Sequence, residues 1–314
     1  MKINFWGVRG SLPAPLTSAR IKSKISAVVG QITPSDIANA ESREKFLARL
    51  PLGLFGTVGG NSPCVSVDFG ETNCFIFDCG SGLRELGAAA VSQGESIKTS
   101  NYHIFLSHFH WDHIQGLPFF GPGYNPSVKL DFYSPVSDIE KNLSGQMVAP
   151  YFPITIDTMA SVKTFHHLTK ERDVCGRSIS FKRMNHPGGS YAYCLNENGK
   201  RFIYATDTEL SADDFMKTDE NISFFKDADI IVVDCQYTLG ESIDKNNWGH
   251  SAFSVAVDFV INWGIKHMVL FHHDPEYDDY KLYGMLQSAK WYLEKMNMKE
   301  IALTLAYEGL EITI

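Results

Sequence analysis

Four side chains able to hold a metal fall within the six positions from His108 to His113: His108, His110, Asp112 and His113, in the run Ser-His-Phe-His-Trp-Asp-His. Imidazole and carboxylate packed this densely destabilise a chain unless an ion draws them together. The apolar run Ile104-Phe105-Leu106 ahead of the cluster reads as a strand. His108 and His110, two apart in extended chain leaving that strand, therefore turn their rings to one side. Asp112 and His113 are adjacent and point apart, so they cannot both join the two histidines around one ion without strain. The spacing suits two neighbouring ions, with His108 and His110 serving the first and Asp112 and His113 the second.

Two ions need more ligands, and later strands offer them at their ends, where a sheet lines side chains along one rim. His186 follows a predicted strand over 179–184 and would complete the first set. Asp207 follows one over 201–205, and its two carboxylate oxygens could bridge both ions. His272 and His273 follow one over 267–271; they alternate in direction, so only one of them should complete the second set. Asp78 and Asp234 also sit at strand ends and could anchor ligand histidines from behind. His166 and His167 lie in a polar stretch and read as surface residues.

The elements that must position these groups can be read along the chain. A strand over 2–8 is followed by the turn Arg9-Gly10-Ser11-Leu12-Pro13 and then by a helical insertion over about 16–54, with a helix entry at Ser35 and Asp36. This insertion could cover the site, serve an oligomer contact, or be a plain surface excursion. Val58-Gly59-Gly60-Asn61-Ser62 is a tight turn rather than a phosphate loop, since no helix follows it directly. Strands are predicted over 64–69 and 73–77, a helix over 83–91, and the strand that delivers the histidine cluster over 102–106. A strand over 128–133 and a helix over 136–147 come next. The loop Ala149-Pro150-Tyr151-Phe152-Pro153 is stiff and aromatic, fit either for core packing or for stacking on a nucleobase. Glu197-Asn198-Gly199-Lys200 marks a hairpin between strands over 191–196 and 201–205. A buried strand over 228–233, helices over 251–263 and 279–296, and a closing strand over 301–306 complete the census. With no linker, repeat or low-complexity tract, the chain is expected to form one domain over 1–314.

At 314 residues and 44% hydrophobic content the chain can bury a full core. Its net charge is −8 with no long basic cluster, which argues against an extended nucleic-acid partner, because gripping many phosphates needs a basic track. No apolar run reaches the length of a membrane span, and the N-terminus lacks signal-peptide anatomy, so no membrane partner and a cytoplasmic location are expected. The six cysteines sit mostly in strand-like contexts without a Cys-x-x-Cys pair, as befits free thiols in a reducing compartment.

The run His108-Phe109-His110-Trp111-Asp112-His113 resembles the His-x-His-x-Asp-His signature of the metallo-β-lactamase superfamily, and His186, Asp207 and His272 match its later ligands in order. The resemblance extends from Phe5-Trp6-Gly7-Val8-Arg9-Gly10-Ser11 to the last strand, except for the insertion. It implies a four-layer αββα sandwich of two mixed β-sheets flanked by helices, with a dinuclear site at one rim. Within the superfamily the chain looks most like the tRNase Z-like phosphodiesterase branch. Leu270-Phe271-His272 resembles that branch's closing ligand segment, which favours His272 over His273 as the ligand. Gly249-His250-Ser251 resembles its histidine motif, which makes His250 a candidate general acid; the alternative is a cap for the helix that follows. True β-lactamases usually carry cysteine or serine where Asp207 stands, so antibiotic hydrolysis is not implied. A long Gly/Pro-rich arm of the kind that grips tRNA is missing, so the pattern is closer to small-molecule members that cleave cyclic nucleotides.

The resemblance implies a phosphodiesterase that hydrolyses a small phosphodiester, best fitted by a 3′,5′-cyclic nucleotide, through a hydroxide bridging two divalent ions. Asp112 and His250 would be its catalytic side chains. Zinc suits the histidines best, while manganese or iron suits the carboxylate share. A homodimer is implied as well, with the insertion or the aromatic loop as candidate contacts. An RNA-processing endonuclease and a lactone or thioester hydrolase are the alternatives on the same fold.

Overall fold

A computed structural model describes residues 1–92 and 100–314. Two seven-stranded sheets face each other. The first holds β1 (Lys2–Gly7), β2 (Cys64–Asp68), β3 (Asn73–Phe77), β4 (Asn101–Phe105), β5 (Lys129–Ser134), β6 (Val162–His167) and β14 (Glu311–Thr313), in the order β14-β1-β2-β3-β4-β5-β6. The second holds β7 (Arg172–Val174), β8 (Arg177–Met184), β9 (Ser190–Glu197), β10 (Lys200–Ala205), β11 (Ile230–Asp234), β12 (His267–Phe271) and β13 (Ala302–Leu305), in the order β13-β12-β11-β10-β9-β8-β7. Both are mixed: β3 to β6 run parallel, as do β10 to β13, and the remaining pairs are antiparallel.

Side-chain alternation along the strands sorts the core into layers. Phe75, Phe77, Phe105 and Tyr133 turn inward, where they meet Tyr193, Phe202 and Tyr204 of the second sheet. Phe77 stacks on Phe105 at 5.3 Å and tilts against Tyr204 at 5.5 Å. Truncating a fully buried phenylalanine of this kind costs about 3–5 kcal/mol. Ile76, Ile104 and Phe132 point the other way and pack with Leu83 and Leu86 of α4 (Gly82–Ser92) and with Ile139 and Leu143 of α6 (Ile139–Gly145). On the far side of the second sheet lie α10 (Phe253–Trp263) and α11 (Asp279–Lys295), whose buried faces join the inner core cluster. This is the αββα sandwich that the resemblance implies.

The insertion is helical, comprising α1 (Ser18–Val29), α2 (Ala40–Arg49) and α3 (Leu52–Phe55) between two antiparallel neighbours of one sheet. The helix entry lies later than Ser35 and Asp36: Asn39 caps α2 by accepting the Ser42 N–H, while Asp36 accepts from Thr33 and pairs with Arg49. Lys24 anchors the insertion, with Nζ 2.6 Å from the buried Asp279 carboxylate and donating to the carbonyls of Gly53 and Gly56. Three strands escape the sequence pattern. β6 is an edge strand whose Lys163, Thr164 and His167 obscure the alternation, and β7 and β14 are three residues each. The helix predicted over 136–147 starts later, at Ile139, because Asp138 before it sits at φ 57°. Among the described residues no helix is long and apolar enough to cross a membrane.

Candidate metal centre

The parallel portions of both sheets end at one rim, and the chain leaves each strand there with a polar side chain. Asp78 follows β3, His108 follows β4, His186 follows β8, Asp207 follows β10, Asp234 ends β11 and His272 follows β12. Asp78, Asp207 and His272 take positive φ (62°, 46° and 59°), which bends the chain sharply out of its strand. Residues other than glycine adopt that region at a cost.

Asp112 and His113 do not extend from the strand as the spacing suggested. They lie in the short helix α5 (Trp111–Ile114), which brings both inward, with His113 Nε2 3.1 Å from Asp112 Oδ2. Two of the resulting donor groupings divide the ligand-type residues into two sets, His108 with His110 and His186, and Asp112 with His113, Asp207 and His272, each with its donor atoms within 4.8 Å of one another; His250 lies within the same reach of His186 and Asp207, and of Asp234 and His272. The Asp207 carboxylate faces both sets. Its Oδ2 lies 3.8 Å from His108 Nε2 and 3.7 Å from His186 Nε2, while Oδ1 lies 3.0 Å from His113 Nε2 and 3.1 Å from His272 Nε2.

The rings of His108, His113, His186 and His272 are steered through their second nitrogens. His113 Nδ1 lies 2.7 Å from Asp78 Oδ2, His186 Nδ1 donates to the Gly249 carbonyl at 2.9 Å, and His272 Nδ1 lies 3.0 Å from Gln236 Oε1. Ser107 Oγ lies 3.0 Å from His108 Nδ1 and donates to Asp78. Asp112 Oδ2, the oxygen that also faces His113 and His272, accepts the Ser11 N–H at 2.8 Å. Gly249, at φ 85°, is required where it stands, since a Cβ there would come within 2.2 Å of the His186 ring. His273 is turned away: it is buried, its Nε2 donates to the Ala306 carbonyl, and burial lowers its pKa to about 3.

This arrangement suits divalent metal. His108 Nε2 is buried without a hydrogen-bond partner, and His113 Nε2, although within 3.1 Å of the Asp112 and Asp207 carboxylates, makes a hydrogen bond to neither. A buried nitrogen without a hydrogen bond is costly, and a cation in each set would satisfy them. Burial would raise the Asp207 carboxyl, but His113, His272 and His108 hold it well below the usual carboxylate range. Burial likewise pushes the His108 imidazole down, and the neighbouring His113 adds to this, keeping it neutral as a ligand must be.

His250 stands beside both sets. Its Nδ1 lies 2.7 Å from Asp234 Oδ2, its ring stacks 5.0 Å from that of His272, and it lines a cavity of about 480 Å³ together with His110, Asp112, His186 and Asp207. Burial alone would lower its pKa, but the Asp234 carboxylate outweighs burial and raises it to about 9. It does not cap α10 through its side chain.

A family model for the beta-lactamase superfamily domain matches residues 73–273, the stretch that carries all these groups. The chain belongs to that superfamily. It is 24% identical over 290 residues to a ribonuclease Z of Picrophilus torridus, covering 76% of this chain and 89% of that protein. Among solved structures it is similar to the metallo-beta-lactamase fold protein YhfI of Bacillus subtilis, with a TM-score of 0.64 and 16% identity over 99% of this chain and 98% of that one. It is also similar to a diphosphatase of the PhnP family, with a TM-score of 0.60 and 18% identity over 100% of this chain and 97% of that one.

Several supporting residues carry no sequence signal. Ser11 acts through its backbone, Gln236 is an ordinary amide until β11 and β12 are side by side, and Tyr204 reaches Asp78 from the opposite sheet at 2.9 Å. Glu209 was readable only as an acid two residues beyond Asp207. It accepts the N–H groups of Asn247 and Gly249, holding the carbonyl that orients His186. His166 is half-buried against Asp131, and His167 is exposed.

Proposed function

We propose that the protein is a dinuclear metal-dependent phosphodiesterase that hydrolyses a small phosphodiester, with a 3′,5′-cyclic nucleotide as the best-fitting substrate. His108, His110 and His186 would hold one divalent ion, Asp112, His113 and His272 the other, and Asp207 would reach both. Zinc suits this histidine-rich set, with manganese or iron as alternatives. When bound, the ions supply a water of lowered pKa and positive charge against the phosphoryl oxygens.

The chain's own residues account for the rest. The Ser11 N–H steadies the Asp112 carboxylate, which orients the attacking water. Asp234 holds His250 Nδ1 at 2.7 Å and favours the charged ring, and Nε2 would give its proton to the leaving alkoxide as the P–O bond breaks. A well-placed general acid is worth about 10²–10⁴-fold in rate. His250, held from behind by the buried Asp234 and lining the same cavity as residues of both donor sets, is the observation that carries the reading.

Substrate size follows from charge. Among the described residues no lysine or arginine lines the cavity over the rim, nor the adjoining one bounded by Glu209, Ile243, Asn246 and His250. With positive charge confined to the metal sites and His250, a substrate with one phosphate is favoured over a strand with many. The match to ribonuclease Z supports RNA processing as a second reading. We further propose a cytoplasmic homodimer, with the exposed Ile21, Ile25 and Val29 face of α1 as its contact.

The test is turnover by the metal-reconstituted protein of a cyclic nucleotide, bis-p-nitrophenyl phosphate, a precursor tRNA and a lactone, each beside His250→Ala. Hydrolysis of the cyclic nucleotide, reduced about 10²–10⁴-fold in the variant with both ions retained, is expected. Cleavage of the tRNA alone or the lactone alone would overturn it.

A further inference from the structure

The metal-binding motif itself contains two aromatic residues that coordinate nothing. Phe109 is half-buried, Trp111 is 72% exposed, and both line the cavity over the rim. The aromatic loop of residues 149–153 does not: Phe152 packs edge-on against Phe119 at 5.8 Å, Tyr151 points to solvent at 82% exposure, and neither lines this cavity.

Trp111 differs from the other tryptophans. Trp6 donates to Ser66 and Trp263 to the Asp214 carbonyl, while the exposed Trp248 and Trp291 lie near Lys245 and Lys295. Among the described residues the Trp111 indole has no hydrogen bond, aromatic partner or cation. Its backbone is nonetheless held firmly: the Trp111 carbonyl accepts from Gln115, and the Cys79 N–H clamps the same turn through His113. The indole is a large planar surface with no packing role, fixed between ligand-type residues His110 and Asp112 at the mouth of the cavity. Water is a poor partner for such a surface, whereas a planar ring stacked on it gains about 1–3 kcal/mol.

We propose that Phe109 and Trp111 form a stacking subsite for a planar ring carried by the substrate, the ring of a nucleobase being the class that fits. The phosphate end of this inference rests on the phosphodiesterase reading, and the ring end does not. The probes are adenosine 5′-monophosphate, phenyl phosphate and ribose 5-phosphate, titrated calorimetrically into the metal-loaded protein, its Trp111→Ala variant and, as an exposed-tryptophan control, Trp291→Ala. The nucleotide is expected to bind about 5- to 150-fold more tightly than ribose 5-phosphate. Trp111→Ala should erase that difference and Trp291→Ala should preserve it. A gain shared by phenyl phosphate would widen the subsite to any aryl ring, while a gain confined to the nucleotide would narrow it to nucleobases. Equal affinity for nucleotide and ribose phosphate in the unaltered protein, a difference that survives Trp111→Ala, or no binding of any probe would overturn the proposal. If no phosphodiester is turned over, the phosphodiesterase reading fails, yet this binding difference is still measured.

Discussion

β4 and β5 carry two clusters of histidine and aspartate, one beyond the C-terminal end of β4 and one part-way along the strands. The mid-strand cluster joins His103, Asp131, Tyr133 and His166 to Cys175 of the second sheet's edge. His103 Nδ1 lies 3.2 Å from the Tyr133 hydroxyl and its Nε2 lies 3.4 Å from Cys175 Sγ, while His166 Nε2 lies 3.0 Å from Asp131 Oδ1. The His166 ring also stacks on Tyr133 at 4.6 Å. In this cluster the donors and acceptors answer one another, and among the described residues it contains no set of metal donors. The rim cluster has the same residue types but leaves His108 Nε2 without a partner, and it crowds His113 Nε2 against two carboxylates with no hydrogen bond to either. Residue type alone therefore does not distinguish a metal site from a polar seam. The difference lies in whether the protein itself completes the hydrogen bonding.

The hardest test of this contrast is Asp207→Ala. Its carboxylate faces both donor sets, so its removal should cost at least one of two bound ions and lower turnover beyond the roughly 10²–10⁴-fold assigned to His250. Metal content by mass spectrometry and cyclic-nucleotide hydrolysis are the readouts. Retention of both ions with near-normal turnover would remove the rim's special status.

A smaller loss is expected from Asp78→Asn. Asp78 accepts from the Ser107 N–H, the Ser107 hydroxyl and Tyr204, and it lies 2.7 Å from His113 Nδ1. An amide cannot reproduce all of these contacts, and losses behind a ligand histidine typically cost about 10–100-fold in metal affinity. Competition with a chelator would measure it. An unchanged affinity would mean that His113 is held by its packing alone.

The rim was legible in the sequence because strand ends are local features. An apolar run followed by His108 and His110, or by Asp207, places the side chain without knowledge of the neighbouring strand. The alternation at His272 and His273 by itself left a choice between two, which the resemblance turned toward His272; in the structure the chain enters positive φ at His272 and sends His273 back to the Ala306 carbonyl. The mid-strand cluster was not legible at all, since His103 and Cys175 are 72 residues apart and meet only when the two sheets close. β6 was missed for a related reason. As an edge strand it exposes Val162, Thr164 and His167, so its composition reads as a polar loop.

Substitutions in the mid-strand cluster should affect folding and leave the metals alone. For His103→Asn, the short amide cannot span from Tyr133 to Cys175, and a buried polar group loses its partners. The expected cost is about 1–3 kcal/mol in urea unfolding, with metal content unchanged. A loss of metal instead would tie the two clusters together and break the contrast.

The smallest effect belongs to His167→Ala on the same strand as His166. His167 is exposed, and its side chain donates from Nε2 to the Pro135 carbonyl at 3.0 Å. Water can replace that donor, so stability should shift by less than about 0.5 kcal/mol, with metal content and turnover unaltered. The pair His103→Asn and His167→Ala then separates burial from residue type, since both remove one imidazole from the same sheet. Equal destabilisation by the two would mean that the seam owes its stability to something other than completed hydrogen bonds, and the contrast with the rim would have to be drawn on different grounds.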